Sequence, residues 1–311
     1  MSVAVLFPGQ GSQHVGMGAD LFSRHEDLLG KTTDETLGWS LREMCLEGPE
    51  DELTLTEHAQ PALFAISYAL WTEFREALGG DVAGAAGHSL GEYTALCAAG
   101  VMTFSDTLEV VTRRGHAMAA AAALHPSGMA ALIGADADAI TETIESSIAN
   151  GGRLQVANLN APGQVVVAGS ADDIEWLVGN GRDFGVRRVI PLKVAGAFHS
   201  WFMEPASQQV FDALSGVDLG SPSFPVWSNT TARPHEVGAL ADVLAEQVVS
   251  TVRFEESLLD MADSGIDTFV HVGPGDVTAG MAKRTVEGAT VHVVSSLADI
   301  PGVADSIVTM G

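Results

Sequence analysis

The sequence contains one short pattern, Gly87-x-Ser89-x-Gly91, that could present a nucleophile. It follows a brief run of small residues and precedes a helical pattern, which is the strand–turn–helix context of a nucleophile elbow. Flanking glycines permit a sharp turn that exposes the serine hydroxyl at a helix start, where backbone N–H groups can stabilise a developing oxyanion. The pattern predicts acyl chemistry through Ser89, although a glycine-rich structural turn would have the same spacing.

A serine nucleophile needs a base, and histidine is the most common one. The chain has ten histidines, and position alone does not select among them. His199 follows Gly196-Ala-Phe in a predicted loop, and His271 ends a predicted strand, so both are candidates. For either residue the alternative is an ordinary histidine, hydrogen-bonded in the core or solvated at the surface.

The elements that would position these residues alternate between strand and helix patterns. Val3–Phe7 is a β-branched apolar run that ends at Pro8-Gly9, and the alternation continues to about residue 122. It resumes near residue 202 and runs to the end of the chain. This order predicts an α/β domain with a parallel sheet, similar to the α/β-hydrolase fold.

The middle of the chain has a different order of elements, βαββαβ in fewer than 70 residues, which is the ferredoxin-like motif. Turn-like or small residues mark both of its ends. We therefore predict a large catalytic domain of residues 1–125 and 197–311, interrupted by a ferredoxin-like small domain of residues 126–196. A ligand is expected to bind between the two domains.

Composition excludes several classes of protein. Fifteen Lys and Arg against 40 Asp and Glu, among 311 residues, leave a net charge of −25, which disfavours nonspecific binding to nucleic acid or anionic membranes. The N-terminal apolar run lacks the features of a signal peptide, and no stretch reaches the ~18 apolar residues of a membrane span. Cys45 and Cys97 are expected to be buried free thiols, which is typical of a reducing, cytoplasmic compartment.

Patterns for cofactor chemistry are incomplete. Gly9 and Gly11 follow the first strand as in a dinucleotide-binding loop, but the third glycine is Gly16 instead of position 14. The chain has no Gly-Lys-Ser/Thr phosphate loop and no histidine or cysteine spacing typical of a metal site. Neither a metal nor a bound cofactor is predicted.

Seven motifs occur in order between residue 3 and about residue 295. They are FPGQGSQ at Phe7–Gln13, QPAL from Gln60, GHSLGEY at Gly87–Tyr93, Arg114-Gly115, Asn158 with PGQVV from Pro162, AFHS at Ala197–Ser200, and Gln247 with VRF at Val252–Phe254. Together they resemble the malonyl-CoA:acyl carrier protein transacylase family, and most closely the discrete acyltransferases that serve polyketide synthases in trans. The resemblance selects His199 as the base.

The resemblance also implies a role for each matching catalytic position. Ser89 would be the nucleophile, and His199 the general base, held by a backbone carbonyl near Gln247 and not by an aspartate. The backbone N–H groups of Gln10 and Leu90 would form the oxyanion hole.

Arg114 would bind the free carboxylate of the acyl group. A planar guanidinium can donate two parallel charge-assisted hydrogen bonds to a carboxylate, which lysine cannot do. Arg113 is a neighbouring alternative, but the Arg-Gly pair identifies residue 114 as the family position.

Further residues match or adjoin the acyl pocket. Gln60, Asn158 and Gln247 match substrate-binding positions. The ring of Phe198 would crowd a 2-methyl branch, which favours malonyl by about 1–3 kcal/mol. Trp201 occupies a place where relatives often carry a small, polar or basic side chain. It would either shape the acyl or pantetheine channel or simply pack on the surface, and it leaves the identity of the acyl group open.

The resemblance therefore implies transfer of a malonyl or related carboxyacyl group from CoA to the 4′-phosphopantetheine thiol of an acyl carrier protein. Two alternatives stay open, an acyl-thioester hydrolase and the transfer of an unusual acyl group between two carrier proteins. The pathway served, fatty-acid or polyketide, is open as well. A basic cluster could dock an acidic carrier protein, unless its members are ordinary solvated charges: Arg182, Arg187, Arg188 and Lys193.

Overall fold

The computed structural model describes residues 2–310, apart from the side chain of Met310, and its strands form two sheets. In chain order the strands are β1 (Val3–Phe7), β2 (Gly84–Gly87), β3 (Ser127–Ile133), β4 (Gln155–Ala161), β5 (Gln164–Ser170), β6 (Arg188–Pro191), β7 (Val226–Trp227), β8 (Val252–Arg253), β9 (Thr268–Val272) and β10 (Thr290–Val294). The first sheet is parallel and has the order β10-β9-β1-β2-β7. Its central strand, β1, is buried along its whole length, as an apolar run in a parallel sheet requires.

Helices cover the sheets and connect the strands. In chain order they are α1 (Glu26–Leu29), α2 (Lys31–Leu37), α3 (Leu41–Glu47), α4 (Glu50–Leu53), α5 (Thr56–Leu78), α6 (Gly91–Ala98), α7 (Phe104–Ala122), α8 (Ala137–Ala149), α9 (Ala171–Asn180), α10 (Glu204–Leu214), α11 (Leu240–Gln247), α12 (Phe254–Asp263), α13 (Val277–Thr285) and α14 (Ile300–Met310). The parallel sheet with its helices confirms the predicted α/β class. Across residues 2–310, no helix is both long enough and apolar enough to cross a membrane.

The second sheet has the order β6-β3-β5-β4-β8. Its first four strands are antiparallel and, with α8 and α9, have the predicted ferredoxin-like arrangement. The fifth strand, β8, was not predicted and comes from outside residues 126–196; it pairs in parallel with β4. The small sheet therefore continues into the large unit, and the proposed boundaries at residues 126 and 196 stay a prediction.

Three features of this architecture position the site. Strands β1 and β2 are parallel neighbours, so the loops that follow them lie side by side at one edge of the sheet. Helix α7 packs between α5 and α10 in the main core, which holds its buried face rigidly. The small sheet stands opposite, and its strands β3, β4 and β5 form the other wall of a cavity.

Candidate active site

Ser89 lies in a tight turn between β2 and α6, with a positive φ of 50°. A Cβ atom added to Gly87 would lie 1.8 Å from the carbonyl carbon of Gly91, and one added to Gly91 would lie 2.3 Å from the carbonyl oxygen of Phe7. Close backbone contacts therefore require both glycines. A serine in the left-handed region costs about 1–3 kcal/mol, strain that is typical of functional sites.

His199 lies opposite Ser89, in the loop between β6 and α10. Its Nε2 atom is 2.7 Å from Ser89 Oγ, and its Nδ1 atom is 2.8 Å from the backbone carbonyl oxygen of Gln247. Because a carbonyl oxygen only accepts hydrogen bonds, Nδ1 carries the proton and Nε2 presents its lone pair to the serine. This arrangement can remove the proton from Ser89.

The surroundings keep the imidazole of His199 neutral. Burial, together with the positive charge of Arg114, lowers the pKa of His199 to about 3. The backbone carbonyl of Gln247 acts in the opposite direction but is the smaller effect. The ring is therefore in its basic form at neutral pH.

Arg114, on α7, is buried beside the serine, with only 1% of its surface exposed. Its NH2 group donates to Ser89 Oγ at 3.0 Å and to Gln247 Oε1 at 2.8 Å, and its NH1 group donates to Gln60 Oε1. The guanidinium lies over the ring of Tyr93, 5.3 Å from the centroid. A guanidinium has five N–H donors, and three of these make the hydrogen bonds above.

A cavity of about 370 Å³ opens onto Ser89 between the two sheets. Its walls are mainly apolar and include Met118, Met129, Val166, Leu192, Phe198 and Met281. Gln10 and Leu90 also line it, and within residues 2–310 their backbone N–H groups make no hydrogen bond. Two free donors next to the serine hydroxyl are what an oxyanion hole requires.

The structure brings most of the predicted site residues to this cavity. Its lining contains Ser89, His199, Gln10, Leu90, Arg114, Gln60, Asn158, Phe198 and Lys193. Gln247 lies behind the lining and holds both Arg114 and His199. The residues predicted to act as nucleophile, base and oxyanion donors therefore meet a buried cation in one place.

Known proteins share this architecture. Residues 5–304 match the family described as acyl transferase domain. The malonyl CoA-acyl carrier protein transacylase of Bacillus subtilis is 41% identical over 285 residues, which cover 91% of this chain and 90% of that protein. The chain belongs to this transacylase family.

Relatives of the transacylase family from polyketide biosynthesis are similar too. The polyketide biosynthesis malonyl CoA-acyl carrier protein transacylase BaeC of Bacillus velezensis is 38% identical over 91% of this chain and 96% of its own length. A malonyl-transacylase solved in complex with its type II PKS acyl-carrier protein superimposes with a TM-score of 0.93. The two chains are 33% identical, and the match covers 98% of this chain and 100% of the solved one. The resemblance inferred from the motifs is thus confirmed.

Trp201 does not line the transacylase cavity, which corrects its predicted placement. Its ring stacks on Phe202 with centroids 3.8 Å apart, and the guanidinium of Arg153 lies 4.2 Å from the Trp201 ring centroid. A short 3₁₀ turn, Trp201–Met203, begins directly after Ser200 and carries the indole into a separate surface depression. The side chain therefore packs between Phe202 and Arg153, outside the cavity at Ser89.

His271, the rival base, lies in the core of this family member. Its Nδ1 atom is 2.6 Å from Thr278 Oγ1, and its Nε2 atom is 3.1 Å from the carbonyl oxygen of Gly273. Both ring nitrogens have partners there, and the ring does not line the cavity. His271 is therefore an ordinary core histidine with both ring nitrogens hydrogen-bonded.

The predicted docking residues divide into two groups. Lys193 is exposed and lies at the cavity, whereas Arg182, Arg187 and Arg188 are exposed along the edge strand β6 and the turn before it, outside the cavity lining. Sequence reasoning missed Arg284 of α13, which donates to Gln164 Oε1 on the cavity lining. No sequence motif around Arg284 indicates a functional role.

Sequence reasoning also missed the polar residues behind the elbow. Asn229 Oδ1 accepts the backbone N–H of Ser89 at 2.7 Å, and His88 Nε2 lies 2.7 Å from Asn160 Oδ1. Glu92 and His235 form a buried pair near Asn229. Glu92 lies inside the GHSLGEY motif, which was its only sequence signal.

In the described part of the chain, no group of three or more metal-ligating side chains could hold an ion.

Proposed function

We propose that this chain transfers a malonyl group from CoA to the phosphopantetheine thiol of an acyl carrier protein, through an ester on Ser89. The observation that carries the proposal is the contact of one hydroxyl with a neutral imidazole and a buried guanidinium. Ser89 Oγ lies 2.7 Å from His199 Nε2 and 3.0 Å from the Arg114 NH2 group. The base can activate the serine for acyl transfer, and the cation can bind an acyl group that carries a carboxylate.

In the first step, His199 Nε2 takes the proton of Ser89 as Oγ attacks the thioester carbonyl of malonyl-CoA. The backbone N–H groups of Gln10 and Leu90 stabilise the resulting oxyanion. The C–S bond then breaks, CoA leaves with the proton from His199, and a malonyl ester stays on Ser89.

In the second step, the phosphopantetheine thiol gives its proton to His199 and attacks the ester carbonyl. The same two N–H groups stabilise the second oxyanion. The ester C–O bond breaks, Ser89 regains the proton from His199, and the malonyl group leaves as a thioester of the carrier. Splitting the exchange into two steps lets one cavity serve two large thiol carriers in turn.

Arg114 lines the cavity beside Ser89 and binds the malonyl carboxylate through its guanidinium group. A buried guanidinium without a carboxylate ligand is costly, so the bound malonyl group compensates its charge. A hydrolase of neutral acyl chains would gain nothing from this cation.

Gln60, Asn158 and Phe198 shape the pocket around the malonyl group. Gln60 holds the NH1 side of Arg114, and Asn158 presents its amide to the cavity from β4. The ring of Phe198 limits the space at the acyl α-carbon, so a 2-methyl branch loses about 1–3 kcal/mol. An unusual acyl group was suggested only by Trp201, which lies outside the cavity.

The carrier protein docks at the basic edge that starts at the cavity with Lys193. From there β6 runs about 16 Å to Arg188, at roughly 3.3 Å per residue. Within residues 2–310, Arg187, Arg188 and Lys193 form no salt bridge, so their charges are available to an acidic partner. Arg284 borders the same opening from α13. This edge is therefore locally positive although the whole chain has a net charge of −25.

We expect reversal of two charges on this edge, Arg187→Glu with Arg188→Glu, to raise the KM for the carrier protein about tenfold. Loading of Ser89 from malonyl-CoA should not change, because neither residue reaches the cavity. Steady-state transfer at low salt measures both quantities. Lys31→Glu, an exposed reversal on α2, is the matched control, and an unchanged carrier KM in the double variant contradicts the docking surface.

The lowered pKa of His199 predicts the pH dependence of acylation. The base form of a histidine predominates above its pKa. The acylation rate should therefore not fall through protonation of His199 as the pH is lowered to about 5. Arg114→Ala removes the repulsion that lowers this pKa, so its acid limb should move to higher pH. Acyl-enzyme formation from acetyl-CoA, followed across pH in both proteins, measures the shift. A wild-type limb near pH ~6.5, the ordinary histidine value, contradicts the assignment.

Partitioning of the acyl-enzyme separates the transferase from a hydrolase. The enzyme is loaded with malonyl-CoA, freed of CoA and divided between buffer and buffer with a holo carrier protein. The proposal requires malonyl transfer to the carrier thiol to be far faster than release of malonate to water. Equal rates of loss in the two samples would favour the hydrolase.

The proposed chemistry needs no bound cofactor, because malonyl-CoA and the carrier's 4′-phosphopantetheine supply both thiols. A cytoplasmic location is part of the proposal. Cys45 and Cys97 are buried free thiols, which supports a reducing compartment.

A further inference from the structure

A buried carboxylate lies behind the nucleophile elbow. Glu92 is in the first turn of α6, three residues after Ser89, and none of its surface is exposed. It lies 2.6 Å from His235 Nε2, and it accepts from Gln247 Nε2 at 2.5 Å and from the Asn229 backbone N–H at 3.2 Å. An ionised carboxylate only accepts hydrogen bonds, so it can satisfy all three groups at once.

The partners of Glu92 hold the reacting groups. Gln247 Nε2 also donates to the carbonyl oxygen of Ser89 at 3.0 Å, while Gln247 Oε1 accepts from Arg114 at 2.8 Å. Asn229 accepts the backbone N–H of Ser89 and donates to the carbonyl oxygen of Gly87. Glu92 is therefore an acceptor shared by the side-chain amide of Gln247 and the backbone N–H of Asn229, the two residues that hold the guanidinium and the elbow.

The two ends of the Gln247 amide have nearly the same shape, so sterics do not choose its orientation. With Nε2 towards Glu92, the Oε1 atom faces Arg114 and accepts from it. In the flipped amide the NH₂ group would face the guanidinium, so two donors would meet. Oε1 would face the Glu92 carboxylate, so two acceptors would meet. Glu92 and the carbonyl oxygen of Ser89 thus both orient Gln247 so that Oε1 faces Arg114.

We propose that Glu92, held by His235, is a positioning residue that sets selectivity for carboxyacyl groups by fixing Gln247 and, through it, Arg114. The inference rests on the proposed malonyl transfer. Loss of Glu92 removes the shorter of the two hydrogen bonds that Gln247 Nε2 donates, so the Gln247 amide holds Arg114 less firmly. Loading of a malonyl group suffers more than loading of an acetyl group, which has no carboxylate for Arg114.

The test compares loading of Ser89 from malonyl-CoA and acetyl-CoA in Glu92→Leu and Glu92→Gln. The malonyl-to-acetyl ratio of loading rates cancels the fraction of folded enzyme, so a merely structural role does not change it. We expect the ratio to fall about tenfold or more in Glu92→Leu. In Glu92→Gln the amide oxygen can still accept from Gln247 and Asn229, with its NH₂ group towards His235, so the ratio should stay within about threefold.

Leu21→Ala is the control, because it destabilises the buried core without lining the cavity and should leave the ratio unchanged. If Glu92→Leu does not fold, His235→Leu replaces it and should lower the ratio in the same direction. A wild-type ratio in the leucine variant, or an equal fall in Glu92→Leu and Glu92→Gln, overturns the inference. Failure of the proposed function is a different result, since wild-type enzyme would then form no malonyl ester.

Discussion

Replacement of His199 by alanine is expected to slow formation of the Ser89 ester by at least about 10³-fold. Two side chains contact the serine hydroxyl, and of these only His199, whose Nε2 atom is 2.7 Å away, can accept the proton. Arg114 NH2 is within reach of the hydroxyl but is a donor, so it cannot replace the base. Quenched-flow loading with malonyl-CoA, followed by mass measurement of the acyl-enzyme, gives the rate.

The control for this experiment is the histidine that the sequence alone could not exclude. His271→Asn removes a buried ring whose nitrogens bond to Thr278 and Gly273, so it should lower stability. The loading rate per folded molecule should stay near the wild-type rate. A large loss in His271→Asn with little loss in His199→Ala would reverse the assignment of the base.

Arg114→Ala is expected to lower kcat/KM for malonyl-CoA about 150-fold, the equivalent of about 3 kcal/mol for an unpaired carboxylate in a buried site. The variant removes the guanidinium from the cavity and leaves the malonyl carboxylate facing apolar walls. Acetyl-CoA has no carboxylate, so its loading should change by less than about tenfold. The preference for malonyl over acetyl should therefore collapse, as measured by competition between the two donors.

Arg113→Ala is the matched control, because the neighbouring arginine lies on the exposed side of α7. It should retain both the rate and the preference for malonyl-CoA. Equal losses of malonyl and acetyl loading in Arg114→Ala would show that the guanidinium supports the fold of the site and does not bind the acyl carboxylate.

The elbow could be predicted from sequence because its causes are local. Gly87 and Gly91 flank the serine, and a Cβ atom at Gly87 would clash with Gly91 in the same turn. The ferredoxin-like unit could be predicted for the same reason, since its strands and helices follow one another within a short segment. His199 could not be chosen by local pattern, and only the ordered family motifs separated it from His271.

The parts that could not be predicted depend on contacts between distant positions. Glu92 contacts Gln247 across 155 residues of sequence, and Asn229 contacts Ser89 across 140, so no spacing rule indicates either pair. Strand β8 joins the small sheet from outside its segment and is only two residues long. Trp201 follows the base closely, which suggests the pocket, but it opens a 3₁₀ turn and its ring stacks on Phe202 outside the cavity lining.

The central claim is that Ser89 carries the acyl group, and intact-mass measurement with peptide mapping after brief mixing with malonyl-CoA tests it most directly. One malonyl group per wild-type chain, mapped to Ser89 and removed by a holo carrier protein, is the predicted result. Ser89→Ala should remain unmodified under the same conditions. No adduct on the wild-type chain, or an equal adduct on Ser89→Ala, would contradict the account.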